Sequence, residues 1–308
     1  MSRSKQAVYW IILVALVCAP VALAELFLRN AGLGYPILFY TNASYRFAPQ
    51  PNQRQLRQRG AKVTIDSKGL RAVKDWTSPA DGKLLFVGDS VTWGGTYIDD
   101  EDTFAAGVCE RLGRTTGKTF VCGNASANQY GTDNMAERIR YKDIDDETAL
   151  IVTLISGDTV RGLRDADGSF FFTAPPPGPL RAVWEAATFL VWRLYRAMRP
   201  LQSHRSDHDM RVAERSLENL FAAVRETQRP GRKVLIVLSP LEQELGDKET
   251  PETRHVRSVL ERSGFDFLDL HGAVSEQYAP DLFYDGIHLS KQGHHFYADQ
   301  IANRLLAK

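Results

Sequence analysis

The chain has 308 residues, and its 38 lysines and arginines nearly balance its 37 aspartates and glutamates. This balance gives no indication of a nucleic-acid partner, and the apolar and charged fractions are those of an ordinary globular protein. The three cysteines form no CxxC pair and no Cys/His cluster, which argues against a zinc site and a disulfide scaffold.

The N-terminal segment, residues 1–29, is predicted to anchor the chain in a membrane. Two basic residues precede an almost wholly apolar run over residues 7–28, and roughly 20 apolar residues in a helix span a bilayer. Ala22-Leu23-Ala24 is also a small-x-small pattern that a signal peptidase can cut. We favour a single-pass, uncleaved anchor because the apolar run continues to Leu28. The basic start favours a cytoplasmic N-terminus, which places the rest of the chain on the extracytoplasmic (periplasmic) side.

Residues 30–81 are predicted to form a stalk or linker between the anchor and a globular domain. They are rich in turn formers, glutamine and arginine, with one strand-like piece at Lys62–Ile65. The basic side chains suit contact with anionic lipid or polysaccharide, and they suit a solvated linker equally well.

Residues 82–308 are predicted to form an α/β domain, a three-layer α/β/α sandwich with a parallel sheet of roughly five strands. Short, nearly continuous apolar runs alternate here with helical segments, which is typical of strands covered on both faces. The predicted strands are 84–87, 120–122, 150–155, 234–238 and 265–268, and the predicted helices are 103–112, 133–142, 211–228, 253–263 and 290–306. Cys109 and Cys122 are predicted to be buried free thiols, although export of the domain would allow them to pair.

An insertion at about residues 161–209 interrupts this alternation between the third and fourth predicted strands. It contains Phe170–Phe172, the proline run Pro175–Pro177 and a helical stretch with several aromatic residues. It is predicted to be a lid over a site, a helix that rests on a membrane, a partner surface, or a segment packed on the core. Charged residues within it argue against a second membrane span.

Ser90 directly follows the first predicted strand of the domain, within Gly88-Asp89-Ser90, and Asp285 precedes His288 on the loop before the last helix. In parallel sheets, ligands bind at the carboxyl ends of the strands. A serine hydroxyl becomes a good nucleophile when a base takes its proton and a carboxylate orients that base. A Gly-Asp-Ser tripeptide alone is common in turns, but the two motifs together predict a Ser–His–Asp site.

The two motifs together resemble the SGNH/GDSL hydrolase superfamily, and the resemblance covers residues 83–306 with the insertion set aside. The anchor and the motif Asp66–Arg71 also resemble those of membrane-anchored bacterial members. The resemblance implies an α/β/α fold and acyl chemistry through an acyl-serine intermediate. It makes Ser90 the nucleophile, His288 the general base and Asp285 the orienting acid, with no metal or organic cofactor.

Two positions depart from the family pattern at the oxyanion hole. Ser126 takes the place of a glycine whose backbone N–H is a donor, and this donor survives the replacement. Gly157 takes the place of an asparagine that donates from its side chain, and glycine has no such donor. Loss of one oxyanion donor costs about 10²- to 10³-fold in rate. Asn128 or a water molecule is a candidate replacement.

The anchor and the resemblance together predict an extracytoplasmic serine esterase or O-acyltransferase that acts on acyl esters, acetyl above all, of a cell-surface glycan. A membrane-bound O-acyltransferase that supplies the acyl group is the implied partner. One alternative is an esterase similar to lipases or lysophospholipases. Another is a non-catalytic, SGNH-like accessory protein of a polysaccharide modification system. Gly157 favours this last alternative, and the retention of all three triad residues opposes it.

Overall fold

The computed structural model describes residues 3–141, 143–144, 146–164, 170–198, 206–276 and 280–307. Its first helix, α1 (Arg3–Asn30), is the single helix in these ranges that is long and apolar enough to cross a membrane. Only 6% of its most apolar 18-residue window is buried against the rest of the protein. The helix therefore has the length, composition and exposure of a membrane anchor or a signal sequence.

Two antiparallel hairpins follow, in the segment predicted to be a stalk. Strand β1 (Phe39–Asn42) pairs with β2 (Arg46–Pro49), and β3 (Gln53–Leu56) pairs with β4 (Lys62–Ile65). The prediction of a solvated stalk over residues 30–81 is wrong, because several apolar side chains of this segment lie in the main core. The members of this core from the segment that are at most 2% exposed are Phe47, Val63, Ile65, Leu70 and Trp76.

The central sheet is parallel and has five strands, which confirms the predicted fold class. Its strands are β5 (Gly82–Gly88), β6 (Phe120–Asn124), β7 (Ala149–Leu154), β8 (Lys233–Leu238) and β9 (Asp266–Asp269). Their order in the sheet is β6-β5-β7-β8-β9. The first strand of the domain, β5, therefore lies inside the sheet, and the residues that follow it emerge between the ends of β6 and β7.

Helices cover both faces of this sheet, and each of the five predicted helices is present. They are α3 (Phe104–Thr116), α4 (Thr132–Arg140), α6 (Ser206–Glu226), α7 (Pro251–Glu261) and α9 (Lys291–Leu306), with two short helices, α2 (Ser90–Trp93) and α8 (His271–Glu276). Leu84 and Phe86 of β5 pack with α3 and α9, whereas Leu85 and Val87 pack with α4, α6 and α7. This alternation follows from the two-residue period of a strand, and it gives the predicted three layers.

The insertion divides into a looped part and a helix, α5 (Arg181–Met198), and its residues 165–169 and 199–205 lie outside the described ranges. The looped part packs on the hairpins, with the ring of Phe171 5.0 Å from that of Phe39 and 5.1 Å from that of Phe47. Most of α5 is exposed, and within it Ala182 and Glu185 alone are buried among the residues whose exposure is described. Of the four alternatives for the insertion, packing on the core thus describes the loop but not most of the helix.

Cys109 and Cys122 form a disulfide, so the prediction of two free thiols is wrong. Cys109 lies on α3 and Cys122 on β6, and the packing of α3 against this edge of the sheet brings their Cα atoms to 5.9 Å. This separation suits a disulfide. Disulfides persist in oxidising compartments, so this one favours an exported domain.

Removal of the disulfide by the double substitution Cys109→Ser/Cys122→Ser should lower the free energy of unfolding by about 3 kcal/mol, because the bond closes a loop of 13 residues in the unfolded chain. Urea denaturation followed by circular dichroism measures this loss. Cys18→Ser, which removes the exposed free thiol, is the matched control and should change nothing. Equal stability of the double variant and this control would contradict the prediction.

Candidate active site

Ser90 is positioned by the tight turn that follows β5. The carboxylate of Asp89 caps α2 by accepting a hydrogen bond of 2.9 Å from the N–H of Val91. Gly88 has no room for a side chain, because a Cβ there would lie 2.1 Å from Oγ1 of Thr92 and 2.5 Å from the carbonyl oxygen of Thr153. Glycine therefore allows the chain to turn close against β7, and Ser90 emerges at the carboxyl edge of the sheet.

The structure brings the predicted site residues Ser90, His288 and Asp285 into one hydrogen-bonded chain. Nε2 of His288 lies 2.9 Å from Oγ of Ser90. Nδ1 of His288 lies 2.8 and 2.9 Å from the two carboxylate oxygens of Asp285. The backbone N–H of His288 also donates to Asp285, at 2.9 Å. The loop before α9 thus holds the imidazole through both its backbone and its ring.

The electrostatics of Asp285 suit an orienting carboxylate. Partial burial opposes its ionisation, but hydrogen bonds from the backbone and ring of His288 outweigh burial, and the pKa of Asp285 lies below its ordinary value. The group is therefore ionised at neutral pH and suits a partner that donates. In the tautomer of His288 that carries its proton on Nδ1, Nε2 presents its lone pair to the hydroxyl of Ser90.

A charged cluster with two buried carboxylates, missed by the sequence analysis, includes Asp89, the residue before Ser90. One guanidinium nitrogen of Arg161 is 2.5 Å from the carboxylate of Asp158 and 3.3 Å from that of Asp89. Both carboxylates are at most 1% exposed. Burial, together with the neighbouring Asp89, raises the pKa of Asp158 well above its ordinary value, although Arg161 opposes the shift. Asp158 and Arg161 are three residues apart and follow a buried strand, but this spacing gives no sign of the contact with Asp89.

The predicted oxyanion residues differ in their surroundings. Ser126 is fully buried, and its N–H donates to the side chain of Asn124 at 3.1 Å. That N–H therefore has a partner inside the protein, which does not fit the predicted oxyanion donor. Asn128 lies half-buried in the turn after β6, at the same edge of the sheet as Ser90. The next residue, Gln129, has a φ of 68°, a conformation that marks a constrained turn for a residue other than glycine.

Gly157 lies in a short 3₁₀ turn, Ser156–Val160, that follows β7. Its backbone has an ordinary negative φ, and no atom lies within 4 Å of the position that a Cβ would occupy. The site therefore has room for a side chain larger than that of glycine.

Aromatic side chains form one wall next to the triad. The rings of Tyr97 and Tyr284 stack with centroids 4.1 Å apart, and the guanidinium of Arg59 lies 5.1 Å from the centroid of Tyr284. The hydroxyl of Tyr97 donates to the carbonyl of Leu289, adjacent to His288. Tyr284 is 47% exposed and immediately precedes Asp285. The wall thus offers flat aromatic surface and a cation to a bound molecule.

No protein-family model and no curated protein matches the chain. Solved structures are similar to it: a protein assigned to the G-D-S-L lipolytic family from Desulfitobacterium hafniense has 12% identity and a TM-score of 0.45, covering 73% of this chain and 99% of that one. The lipase/acylhydrolase from Enterococcus faecalis has 15% identity and a TM-score of 0.45, covering 73% and 96%. The psychrotrophic esterase EstA from Pseudoalteromonas sp. has 10% identity and a TM-score of 0.44, covering 74% and 98%.

Proposed function

We propose that the chain is a serine ester hydrolase or O-acyltransferase of the SGNH/GDSL superfamily, with Ser90 as nucleophile, His288 as general base and Asp285 as orienting acid. The hydrogen-bonded chain from Ser90 through His288 to Asp285, at the carboxyl edge of a parallel sheet, carries this proposal. Nucleophile, base and orienting group are all within hydrogen-bond reach, which is the arrangement that acyl transfer through serine requires.

In the proposed reaction, Oγ of Ser90 attacks the ester carbonyl while Nε2 of His288 takes the hydroxyl proton. The tetrahedral intermediate collapses to an acyl-serine, and His288 returns the proton to the departing alcohol. Water or a sugar hydroxyl then attacks the acyl-serine, and His288 again takes and returns one proton. Water gives a carboxylic acid, whereas a sugar hydroxyl gives a new ester, so one site serves both hydrolysis and transfer.

The proposed substrate is an acylated cell-surface glycan, above all an acetyl ester. The wall formed by Tyr97, Tyr284 and Arg59 supports this choice, because aromatic faces and a guanidinium suit a sugar ring with its hydroxyl groups. A membrane-bound O-acyltransferase is the proposed source of the acyl group for transfer.

A lipid ester is the second candidate substrate, and the exposed apolar surface of α5 favours it. Turnover of acetylated oligosaccharides and of lysophospholipids by the purified full-length protein decides between the two. An acetylated oligosaccharide should have the higher kcat/KM, and both the free acid and any acylated acceptor should be quantified in one assay. Faster turnover of the lysophospholipid would replace the glycan proposal.

The proposed location is the cell membrane, with α1 as an uncleaved single-pass anchor and the catalytic domain on the extracytoplasmic side. The disulfide supports export. We expect the full-length protein to fractionate with membranes and to keep its N-terminus, which mass spectrometry of the mature chain measures. A mature chain that begins at Glu25 would show that signal peptidase cuts after Ala24 instead.

A missing oxyanion donor is the main argument for the non-catalytic alternative, and Gly157→Asn tests it. Asparagine fits, because a Cβ at this position meets no atom within 4 Å. If the added amide donates to the oxyanion, turnover of an aryl acetate should rise by about 10- to 100-fold.

Gly157→Ala is the matched control, since it adds the Cβ without a donor and should leave turnover unchanged. Equal rates for the asparagine and alanine variants would show that the gain is not due to the amide. Loss of turnover with an intact fold would show that Gly157 leaves space for a substrate.

A further inference from the structure

Helix α5 exposes an unusual amount of apolar surface. From Phe189 onward, no residue of the helix whose exposure is described is fully buried. The exposed large apolar side chains of α5, which we call the α5 surface, are Trp184 at 52%, Phe189 at 41%, Leu190 at 57%, Val191 at 65%, Leu194 at 55%, Tyr195 at 49% and Met198 at 76%. An exposed apolar patch of this kind on a folded domain is typical of a surface that binds a membrane or another protein.

The start of α5 is fixed to the end of α1. The carboxylate of Glu25 accepts hydrogen bonds from the N–H groups of Ala182 and Val183, at 3.0 and 2.9 Å, in the first turn of α5. Arg29 forms an ion pair with Glu25 and donates to the carbonyl of Pro179 at 2.9 Å. Glu25 is 6% exposed. The α5 surface therefore begins at the level where the apolar part of α1 ends.

The charges of α5 fit the headgroup region of an anionic bilayer. Its one acidic residue, Glu185, is 3% exposed and pairs with Arg57. Arg193 is exposed, and its guanidinium lies 5.9 Å from the centroid of Phe189. The helix thus exposes aromatic, aliphatic and cationic side chains, whereas its carboxylate is buried. Interfacial helices have this composition.

We propose that the α5 surface lies in the outer leaflet of the bilayer that α1 spans, so that α1 and α5 together attach the domain to the membrane. This inference rests on the proposed membrane location but not on the proposed ester chemistry. It assigns one occupant to the surface, an anionic phospholipid bilayer. Continuity with α1 through Glu25 is the reason, since a second protein on this surface would have to occupy the space next to the anchor.

The test uses the full-length protein in vesicles of phosphatidylethanolamine and phosphatidylglycerol, with a nitroxide label on a single introduced cysteine. Cys18→Ser supplies the background, because Cys18 is the free thiol in the described chain. Labels are placed by Val191→Cys on α5, Leu16→Cys within α1, and Arg114→Cys at the amino end of the sheet. These side chains are 65%, 68% and 75% exposed, so the labels do not disturb packing.

Power-saturation electron paramagnetic resonance then compares collisions of each label with oxygen, which concentrates in lipid, and with a water-soluble nickel complex. The labels at Val191 and Leu16 should collide severalfold more with oxygen than with nickel, and the label at Arg114 should show the reverse. If the label at Leu16 collides more with oxygen but the label at Val191 collides more with nickel, the inference about α5 is overturned and the anchor stands. Shielding of Val191 from both agents would show a protein on the surface and also overturn it. If the labels at Leu16 and Val191 both collide more with nickel than with oxygen, α1 is not in the bilayer and the inference about α5 is overturned as well.

Ester turnover of the same labelled proteins reports separately on the proposed reaction. If none of them turns over an ester while the labels at Val191 and Leu16 still collide mainly with oxygen, the proposed ester chemistry is contradicted and the inference about α5 stands.

Discussion

Replacement of Ser90 by alanine is expected to abolish ester turnover and to abolish labelling by a fluorophosphonate probe. In the proposed reaction, Oγ of Ser90 is the atom that bonds to the acyl group or to the phosphorus of the probe, and it lies 2.9 Å from Nε2 of His288. Loss of a nucleophile or its base lowers kcat by about 10⁶-fold in enzymes with such triads. His288→Ala should therefore match Ser90→Ala in both assays.

Asp285→Asn should lower kcat by about 10⁴-fold, which is less than the effect of Ser90→Ala or His288→Ala, because the backbone of the loop still holds His288 in part. Ser44→Ala, at an exposed serine in the turn between β1 and β2, is the matched control and should keep full turnover and labelling. Circular dichroism verifies that each variant is folded. Labelling of the Ser90→Ala protein, or turnover of an aryl acetate by it, would show that Ser90 is not the nucleophile.

The second large effect is expected at Arg71, where methionine should lower the free energy of unfolding by about 3 to 5 kcal/mol. The guanidinium is buried, pairs with Asp100 at 2.9 Å, and donates to the backbone carbonyls of Trp93, Gly95 and Ile98. Arg71→Met leaves the Asp100 carboxylate buried without its cation, and it leaves the loop after α2 without its donors. Ester turnover should fall with stability, since α2 begins at Ser90.

Arg114→Met is the matched control, because it removes the same charge from an exposed ion pair with Glu110. This substitution should lower the free energy of unfolding by about 0.5 kcal/mol. Adding Asp100→Asn to Arg71→Met should recover part of the loss, because the uncompensated charge is removed. Urea denaturation of the four proteins measures these differences. A loss at Arg71 no larger than that at Arg114 would show that the buried pair does not stabilise the fold.

The central sheet and the placement of Ser90 could be predicted from the sequence because each depends on a local pattern. Strands β5, β7 and β8 are buried on both faces, so their residues form continuous apolar runs. The spacing from Asp285 to His288 is also local, and a hydrogen bond between their side chains requires only the short loop that both residues share.

The hairpins, the disulfide and the buried charged cluster could not be predicted in this way. Each hairpin strand has only four residues. The sequence indicated β4 as a strand-like piece, but its side chains alternate between buried and half-buried, so the mean polarity of the segment gave no sign that β4 packs on the core. The disulfide depends on how α3 packs against β6. A local sequence pattern does not give the resulting distance between Cys109 and Cys122. Arg161 was assigned to the insertion, and its contact with Asp89 joins residues 72 positions apart.

The connection between α1 and the core is short, and this sets how far Ser90 can reach. The helix ends at Asn30, and the N–H of Gly34 already donates to the buried carboxylate of Glu185 at 2.6 Å. A free stalk over residues 30–81 would extend for roughly 3.3 Å per residue and let the domain sweep a wide volume. Without it, a chain anchored through α1 carries the proposed nucleophile, Ser90, at a constant height above the bilayer. Such an enzyme moves sideways with the lipids, and its acceptors must come to that height to be acylated or deacylated.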